Sequence, residues 1–353
     1  MFLRMKHVAT PAEVSSSAPA APLAAWGFLL FPGFPMACLT SAIEPLRAAN
    51  EITGRPEFAW TLLGEAPGPV RSSASVRFDT DATLAEAAGL DALVCLSPPD
   101  ARFLDPRRSE AALRLLARRG VTLGGFSGGV FPLMRAQALG RHTPSVHWCY
   151  EGAWAGEFPD RGTSRNAIQR EHGRITVSGA GAVFDLMLRV IEERLGRALM
   201  TEVACWFQHP FVRDETALQA RPVARAGGTE AMLPPPVREA VRLFGLHIED
   251  PLAIAQVAAQ VRLSERTLER AFRAATGETP LRYYRRLRLE RGRQRVLYST
   301  DTVTEIARSV GYSTSTDFAR HYQEAFGVHP ADERRRLAGL RGLAGAVPPD
   351  QQG

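Results

Sequence analysis

The chain has 353 residues, 45% of them hydrophobic, and a formal net charge of +6 at pH 7, so it is long enough for two domains with separate cores. Its four cysteines stand singly without a CxxC pair, which argues against a disulfide framework or a zinc cluster and fits a reducing compartment. No apolar run approaches the roughly 18–20 residues that a membrane span requires, and none precedes a small-residue cleavage site. We therefore expect a cytoplasmic protein without membrane contact.

Residues 1–22 mix Pro, Ser and Ala without periodicity, which predicts a flexible tail. From residue 23 to 211, short apolar runs alternate with helical stretches, the pattern of a flavodoxin-like α/β sandwich with a parallel sheet between helix layers. The predicted strands are 26–31, 58–63, 92–96, 121–125 and 174–178, and the predicted helices are 39–50, 107–119, 130–138, 184–195 and 198–207. Ligands bind such sheets at the carboxyl ends of the strands.

The sharpest local feature of this first domain is Gly125-Phe126-Ser127-Gly128-Gly129. A predicted strand runs directly into a helix around a small residue flanked by glycines, which is the layout of a nucleophile elbow. The same glycines could form an ordinary tight turn. As an enzyme nucleophile, Ser127 would need a base within reach, and His147 is the only candidate nearby in sequence.

High Pro and Gly content predicts a linker over residues 212–236, followed by a second, all-helical domain over 237–336 that opens with a helix at 237–244. The residues after 336 are predicted to form a second disordered tail, 337–353. The chain is thus predicted to hold two folded domains between flexible ends.

Two helix-turn-helix units follow one another in the second domain, at 251–277 and 302–326, because apolar residues recur at helical spacing on both sides of a short break. Ser264 suits the N-cap of the second helix in the first unit, and Thr302 opens a capping box in the second. A basic helix over 281–298 should set the spacing between the two units.

The second domain has the charge of a nucleic-acid binder, since residues 251–340 contain 16 arginines against 10 acidic residues. In a helix-turn-helix, the second helix enters the major groove and its first outward side chains reach the bases. We expect Arg266, Arg270, Ser315 and Arg320 to read bases, although Arg270 and Arg320 could instead hold phosphates only. The full set of predicted DNA-binding residues is Ser264, Arg266, Thr267, Arg270, Arg273, Thr314, Ser315, Thr316 and Arg320.

Residues 248–336 resemble the DNA-binding domain of AraC/XylS-type transcription regulators. The matching segments are Leu263-Ser-Glu-Arg266-Thr-Leu268-Glu-Arg270-Ala-Phe272, Thr276-Gly277-Glu-Thr-Pro280, Val310-Gly311-Tyr312 and Phe326-Gly327-Val-His-Pro330. The resemblance implies a sequence-specific regulator that binds double-stranded promoter DNA, with activation as the default and RNA polymerase as a further partner.

Residues 24–210 are similar to the class I glutamine amidotransferase-like domain of PfpI type, in the form found at the N-terminus of GlxA-type AraC regulators. The matching segments are Phe31-Pro-Gly33-Phe34, Ala42-Ile-Glu44-Pro45-Leu46-Arg47-Ala-Ala-Asn50, the elbow, His147-Trp148 and Val177-Ser-Gly179-Ala-Gly181-Ala. The resemblance alone implies a homodimer formed through this domain.

The chain departs from the hydrolytic members of that family at three places. It has Ser127 where they have an elbow cysteine, and Cys38 or its neighbours where they have an acidic residue. The family's Gly-Gly after a sheet strand is replaced by Ser97-Pro98-Pro99, and proline has no amide N–H to donate. These departures imply a ligand sensor that is not an enzyme and needs neither metal nor cofactor.

Within this family the chain resembles most the branch that responds to arginine, glycine betaine or carnitine. A cationic ligand of this kind favours aromatic faces, such as those of Phe34, Phe126, Trp148 and Trp154. The predicted ligand-binding residues are Phe34, Glu44, Phe126, Ser127, Gly128, His147 and Trp148. Alternatively, most of these aromatic residues form the core, His147 is a structural histidine, and Glu44 pairs within its own helix.

Two other functional hypotheses remain open from sequence. One is an amidase, peptidase or glyoxal-modifying enzyme fused to a DNA-binding domain. The other is an architectural DNA binder whose α/β domain only dimerises.

Overall fold

The computed structural model describes residues 23–209, 212–213, 217–219, 222–223, 228–229 and 232–343. The predicted tail 1–22, parts of the predicted linker and residues 344–353 lie outside the described residues. No described helix combines the length and the apolar character that crossing a bilayer requires.

The first domain is built on one seven-stranded sheet with the order β5-β2-β1-β6-β7-β9-β8, in which every pairing is parallel except that of β8 with β9. The strands are β1 Ala24–Leu30, β2 Phe58–Gly64, β3 Val70–Arg71, β4 Arg77–Phe78, β5 Ala82–Thr83, β6 Ala92–Ser97, β7 Thr122–Ser127, β8 Ile168–Glu171 and β9 Arg174–Val177, with β3 and β4 forming a separate small ribbon. The predicted flavodoxin-like α/β sandwich is confirmed.

Six helices cover the two faces of this sheet: α1 Met36–Thr53, α2 Pro106–Arg118, α3 Val130–Arg135, α4 Glu151–Glu157, α5 Ala180–Leu195 and α6 Arg197–Trp206. Side chains alternate across the sheet, so Phe28 enters the core under α1, α5 and α6, whereas Leu29 enters the core under α2, α3 and α4. All six residues of β6 are buried, as expected for a central strand covered on both faces.

Helix α4 and strands β3, β4, β5 and β8 were not predicted from the sequence. Helix α4 has seven residues, two of them glycines at 152 and 156, and glycine is a poor helix former. Its packing, described below, stabilises a helix that its composition does not indicate.

The second domain contains α7 Pro235–Leu246, α8 Ile254–Gln260, α9 Glu265–Thr276, α10 Pro280–Tyr298, α11 Val303–Ser309, α12 Ser315–Phe326 and α13 Pro330–Leu343. One core lies around Phe244 and Phe272, and a second around Phe318 and Tyr322. Helix α10 contributes to both cores, with Tyr283 and Tyr284 in the first and Leu289 and Val296 in the second. It is therefore the shared support of the two helix-turn-helix units.

Three predicted boundaries need correction. Helix α7 begins at Pro235 rather than residue 237, because proline suits the first turn of a helix. The predicted linker 212–236 holds a short antiparallel pair, β10 Pro222–Val223 with β11 Gly228–Thr229. Residues 337–343 of the predicted disordered tail 337–353 are helical, because they form the end of α13. Once nucleated, a helix adds one hydrogen bond for each residue that extends it.

Candidate nucleic-acid interface and elbow site

The first recognition helix, α9, is capped and oriented by its own sequence. The Ser264 hydroxyl accepts a hydrogen bond from the Thr267 amide at 3.2 Å and contacts the Thr267 hydroxyl at 2.8 Å. Leu268 and Phe272 are fully buried, so the opposite face points to solvent. That exposed face carries the predicted DNA-binding residues Arg266, Arg270 and Arg273.

The second recognition helix, α12, begins in the same way. The Thr314 hydroxyl accepts from the Asp317 amide at 3.1 Å and donates to Asp317 Oδ2 at 2.8 Å. Phe318 and Tyr322 are buried beneath the helix, which leaves Thr316 and Arg320 exposed. Ser315 is half-buried at its first position.

The exposed arginines of the two helices differ in their partners. Arg320 pairs with Asp317 at 2.8 Å, and Arg273 pairs with Glu269 at 2.9 Å. Arg266 and Arg270 are exposed and have no ion-pair partner among the residues that the structure describes. Their guanidinium groups can bond a phosphate or a guanine without first leaving a carboxylate.

Several arginines of α10 are only partly exposed and bond to other parts of the domain. Arg293 is bonded to Glu333, which also accepts from the Tyr322 hydroxyl, so one carboxylate joins α10, α12 and α13. Burial and the hydrogen bond to Glu333 raise the pKa of the Tyr322 phenol. Arg288 donates to the Val310 carbonyl at 2.7 Å. A plain count of arginines therefore overstates the charge available to DNA.

At the elbow, the turn expected from the glycines is formed. Ser127 lies at the end of β7 with φ of +56°, in the left-handed region that non-glycine residues rarely adopt. An added Cβ would lie 1.8 Å from the Cys95 carbonyl oxygen at Gly129 and 2.3 Å from that of Ser97 at Gly128. These two positions must be glycine because the helix start approaches the neighbouring strand β6 so closely.

Two residues that were not predicted as ligands lie next to predicted ligand residues. Ser97 is the register partner of Ser127 in β6, and the buried Ser97 hydroxyl has no hydrogen-bond partner among the described residues. The ring centroid of Tyr150 lies 5.6 Å from that of His147, and burial raises the pKa of the Tyr150 phenol. We call Ser97, Ser127, His147 and Tyr150 the elbow site. Strand register was the available signal for Ser97, and closeness in the chain to His147 was the available signal for Tyr150.

The predicted base, His147, is held by a neighbour in the chain. Its Nδ1 lies 2.8 Å from Cys149 Sγ and accepts from the Cys149 amide at 3.3 Å. Burial raises the pKa of the thiols of Cys38, Cys95 and Cys149 to about 12, so all three are protonated at neutral pH. A protonated thiol is a poor nucleophile.

Three of the aromatic residues considered for ligand binding are in the core. Phe34 and Phe126 are fully buried, and Trp154 is buried with its Nε1 donating to the Arg161 carbonyl at 2.8 Å. Their rings offer no face to a ligand because core packing covers them, so the expectation for Phe34 and Phe126 is corrected. Glu44 forms an ion pair with Arg47 at 3.0 Å within α1.

Trp148 differs from these core residues because it is only half-buried. Its ring centroid lies 5.4 Å from that of His147. Its amide donates to the side chain of Gln219 at 3.0 Å, which fixes the backbone next to His147. Of the predicted ligand residues, Ser127 and Gly128 lie at the elbow, and His147 and Trp148 lie in the short turn before α4.

Two cavities among the described residues have no predicted ligand residue in their lining. The larger, of about 810 Å³, opens at the amino ends of the parallel strands and is lined by Ala24, Ala92, Thr122 and Arg174 among others. The smaller, of about 230 Å³, lies between the domains and is lined in part by Asp100, Glu157 and Tyr298. Within the described ranges, no group of three His, Cys, Asp or Glu residues could hold a metal ion.

Two capped recognition helices on a shared support, attached to an α/β domain, define a DNA-binding protein of the helix-turn-helix class. The family model described as "Helix-turn-helix domain" matches residues 257–336. The HTH-type transcriptional regulator GbdR of Pseudomonas aeruginosa is 32% identical over 309 residues, which cover 88% of this chain and 83% of that protein. The HTH-type transcriptional regulator GlxA of Rhizobium meliloti is 31% identical over 311 residues, which cover 88% of this chain and 95% of that protein.

The chain belongs to the AraC-type family of helix-turn-helix transcriptional regulators, together with GbdR and GlxA. The expected family resemblance is thereby confirmed. A crystal structure of a ThiJ/PfpI family protein from Pseudomonas syringae is 17% identical with a TM-score of 0.48, covering 72% of this chain and 97% of that one.

Proposed function

We propose that this regulator binds double-stranded promoter DNA in a sequence-specific manner, with α9 and α12 as its recognition helices. The observation that supports this most directly is the exposure of Arg266 and Arg270 on a capped helix, with no carboxylate partner among the described residues. A bidentate arginine–guanine contact contributes roughly 1–3 kcal/mol of discrimination. Ser264, Thr267, Arg273, Thr314, Ser315, Thr316 and Arg320 complete the proposed interface.

The spacing of the DNA sites follows from the architecture. Both recognition helices rest on α10, so the two units should read half-sites about one helical turn apart. By resemblance to its family, the protein acts as a homodimer through the α/β domain, as an activator in contact with RNA polymerase. Sedimentation that gave a monomer at micromolar concentration would remove the dimer from this proposal.

The proposed effector is a small nitrogenous metabolite such as arginine, glycine betaine or carnitine, bound at the carboxyl edge of the sheet near Ser127. The half-buried ring of Trp148 is the aromatic face still available to a cation there. The buried, unpartnered hydroxyl of Ser97 adds a polar group at the same edge. The protonated thiols and the absence of amide donors at Pro98 and Pro99 favour binding over turnover.

DNA recognition is tested by selecting sites from random duplexes with the wild type and with the Arg266→Ala/Arg270→Ala variant. We expect the wild type to enrich a defined motif and the variant to lose the bases at the positions that α9 reads. Arg335→Ala, which removes one charge from exposed α13 outside both recognition helices, should return the wild-type motif. An unchanged motif from the α9 variant would refute the assignment.

Effector binding is tested by thermal unfolding with arginine, glycine betaine and carnitine as probes. A ligand at 100 times its dissociation constant should stabilise the protein by about 2.7 kcal/mol. Trp148→Ala should remove that stabilisation, whereas Trp206→Ala, which alters a half-exposed tryptophan on α6, should retain it. Stabilisation that persists in Trp148→Ala would place the ligand elsewhere.

A further inference from the structure

Helix α4 of the first domain packs against helix α10 of the second through two glycines. An added Cβ at Gly152 would lie 3.1 Å from Arg295 Cγ and 3.3 Å from Arg291 Cδ, and the three atoms nearest to it all belong to α10. An added Cβ at Gly156 would lie 2.6 Å from Arg295 Nη2. Residues four apart share one face of a helix, so the glycine face of α4 is the surface that meets α10.

An ion pair and an aromatic contact flank these glycines. The Glu151 carboxylate accepts from Nη1 and Nη2 of Arg291, both at 3.0 Å, and the two side chains are only 12% and 20% exposed. The rings of Tyr150 and Tyr298 meet edge to face with centroids 5.0 Å apart. Arg291, Arg295 and Tyr298 together occupy one face of α10, facing Tyr150 to Gly156.

The same contact reaches the elbow site. Within the elbow site the ring centroid of Tyr150 lies 5.6 Å from that of His147, and its contact with Tyr298, at 5.0 Å, joins the site to α10. Helix α10 in turn contributes side chains to the cores of both helix-turn-helix units. A displacement of Tyr150 therefore acts directly on the element that supports both recognition helices.

We propose that the contact between Tyr150–Gly156 and Arg291–Tyr298 is an inhibitory latch: closed, it restrains the DNA-binding domain, and a ligand at the elbow opens it by displacing Tyr150. This rests on the proposed function and names its regulation. In the closed latch Glu151 neutralises Arg291, and a neutralised cation releases no counterion from DNA. Opening frees that charge and lets the two units adjust to the duplex, so the open form binds DNA more tightly.

The latch is tested without an effector by Gly152→Leu in the full-length protein. Its side chain would extend from α4 into α10, so we expect a larger radius of gyration in solution scattering. Affinity for a duplex of generic sequence, measured by fluorescence anisotropy, should rise about fivefold or more. The salt dependence should steepen by about one phosphate contact. Gly245→Leu, on α7 where an added Cβ meets nothing within 4 Å, is the matched control and should behave as the wild type.

A second variant, Glu151→Gln, keeps the shape of the interface and removes only the charge. It should raise the affinity in the same direction and by more than Glu202→Gln, which makes the same charge change at an exposed position on α6. Affinities of Gly152→Leu and Glu151→Gln no higher than those of their controls would overturn the latch. A wild-type protein that bound no duplex at all would instead overturn the proposed function, so the two failures are distinguishable.

Discussion

The two helix-turn-helix units share one construction and differ in what holds their outer faces. Each recognition helix starts at a hydroxyl cap and buries aromatic or aliphatic side chains against α10. The first presents Arg266 and Arg270 without a carboxylate partner among the described residues, whereas the arginine of the second, Arg320, is paired with Asp317. We therefore propose that the first unit does most of the base reading, although the two backbones are similar.

The units also differ in their support. In the second unit, Glu333 of α13 accepts hydrogen bonds from Tyr322 of α12 and Arg293 of α10. In the first unit, the buried Glu278 in the loop between α9 and α10 pairs with Arg286 of α10 at 3.0 Å. The second unit therefore depends on the C-terminal helix, and the first depends on α10 itself.

The largest loss of folding stability is expected from removing the central aromatic side chain of each helix-turn-helix unit. Phe272→Ala and Phe318→Ala each empty a fully buried site and should lower the free energy of unfolding by about 3–5 kcal/mol. Because the two cores are separate, Phe272→Ala should abolish specific DNA binding, and Phe318→Ala should leave a weaker but sequence-selective complex. Urea unfolding measures the loss of stability, and titration with a duplex that carries the selected DNA motif measures the loss of binding. Equal loss of selectivity in the two variants would contradict the division of work.

The next largest loss of stability is expected from removing the hydrogen bond between Tyr322 of α12 and Glu333 of α13. This loss depends on pH. Tyr322→Phe removes a hydrogen bond to a charged group, which should lower the unfolding free energy by about 1.5–3 kcal/mol at neutral pH. The pKa of Tyr322 is raised in the folded protein, so the folded state keeps its proton after the unfolded state loses its own near pH 10.

Stability of the wild type should therefore fall as pH rises above about 10, and this fall should be smaller in Tyr322→Phe. Urea unfolding at pH 7, 10 and 11 measures the difference. Tyr312→Phe removes a phenol whose pKa burial also raises, so it should flatten the alkaline slope as well, but it should keep the stability that the Glu333 contact gives at pH 7. An identical alkaline slope in wild type and Tyr322→Phe would show that the phenol is not held by Glu333.

Much of this fold could be predicted from periodicity, because parallel strands and recognition helices bury their apolar residues at fixed intervals. The elbow was also predictable, since its glycines are required locally by the close approach to β6. Burial of Phe34 and Phe126 was one of two alternatives, because a sequence does not reveal which aromatic residue the sheet and α1 will cover. Helix α4 was missed for the same reason: its glycines fit the surface of a helix about 140 residues further along the chain.

The arginines of α10 show a related limit. Their composition predicts a solvent-facing basic surface, yet Arg288 and Arg293 bond to a carbonyl and a carboxylate inside the domain. Only the folded packing separates structural arginines from those free to meet DNA.

The proposed division of base reading predicts unequal losses from single arginine substitutions. Arg266→Ala or Arg270→Ala should each weaken binding to a selected site by about 1–3 kcal/mol and relax the preference at one base. Arg320→Ala should weaken binding to all sequences alike and lower the salt slope by about one, as expected for a phosphate contact. Anisotropy titrations on matched and single-substituted duplexes distinguish these outcomes. Relaxed base preference in Arg320→Ala would make the second unit a reader as well.

Substitutions at the helix caps Ser264 and Thr314 should affect the two units alike and give the smallest expected loss of stability. Ser264→Ala and Thr314→Ala each remove the acceptor for one amide at the start of a recognition helix, which should lower the unfolding free energy by about 1 kcal/mol. Ser264→Gly and Thr314→Gly should each lower the unfolding free energy by only a few tenths of a kcal/mol, because glycine adopts the backbone conformation of a cap readily. Urea unfolding of all four variants tests this. A much larger loss for Thr314→Ala would indicate that its contact with Asp317 also orients Arg320, because Asp317 binds both side chains.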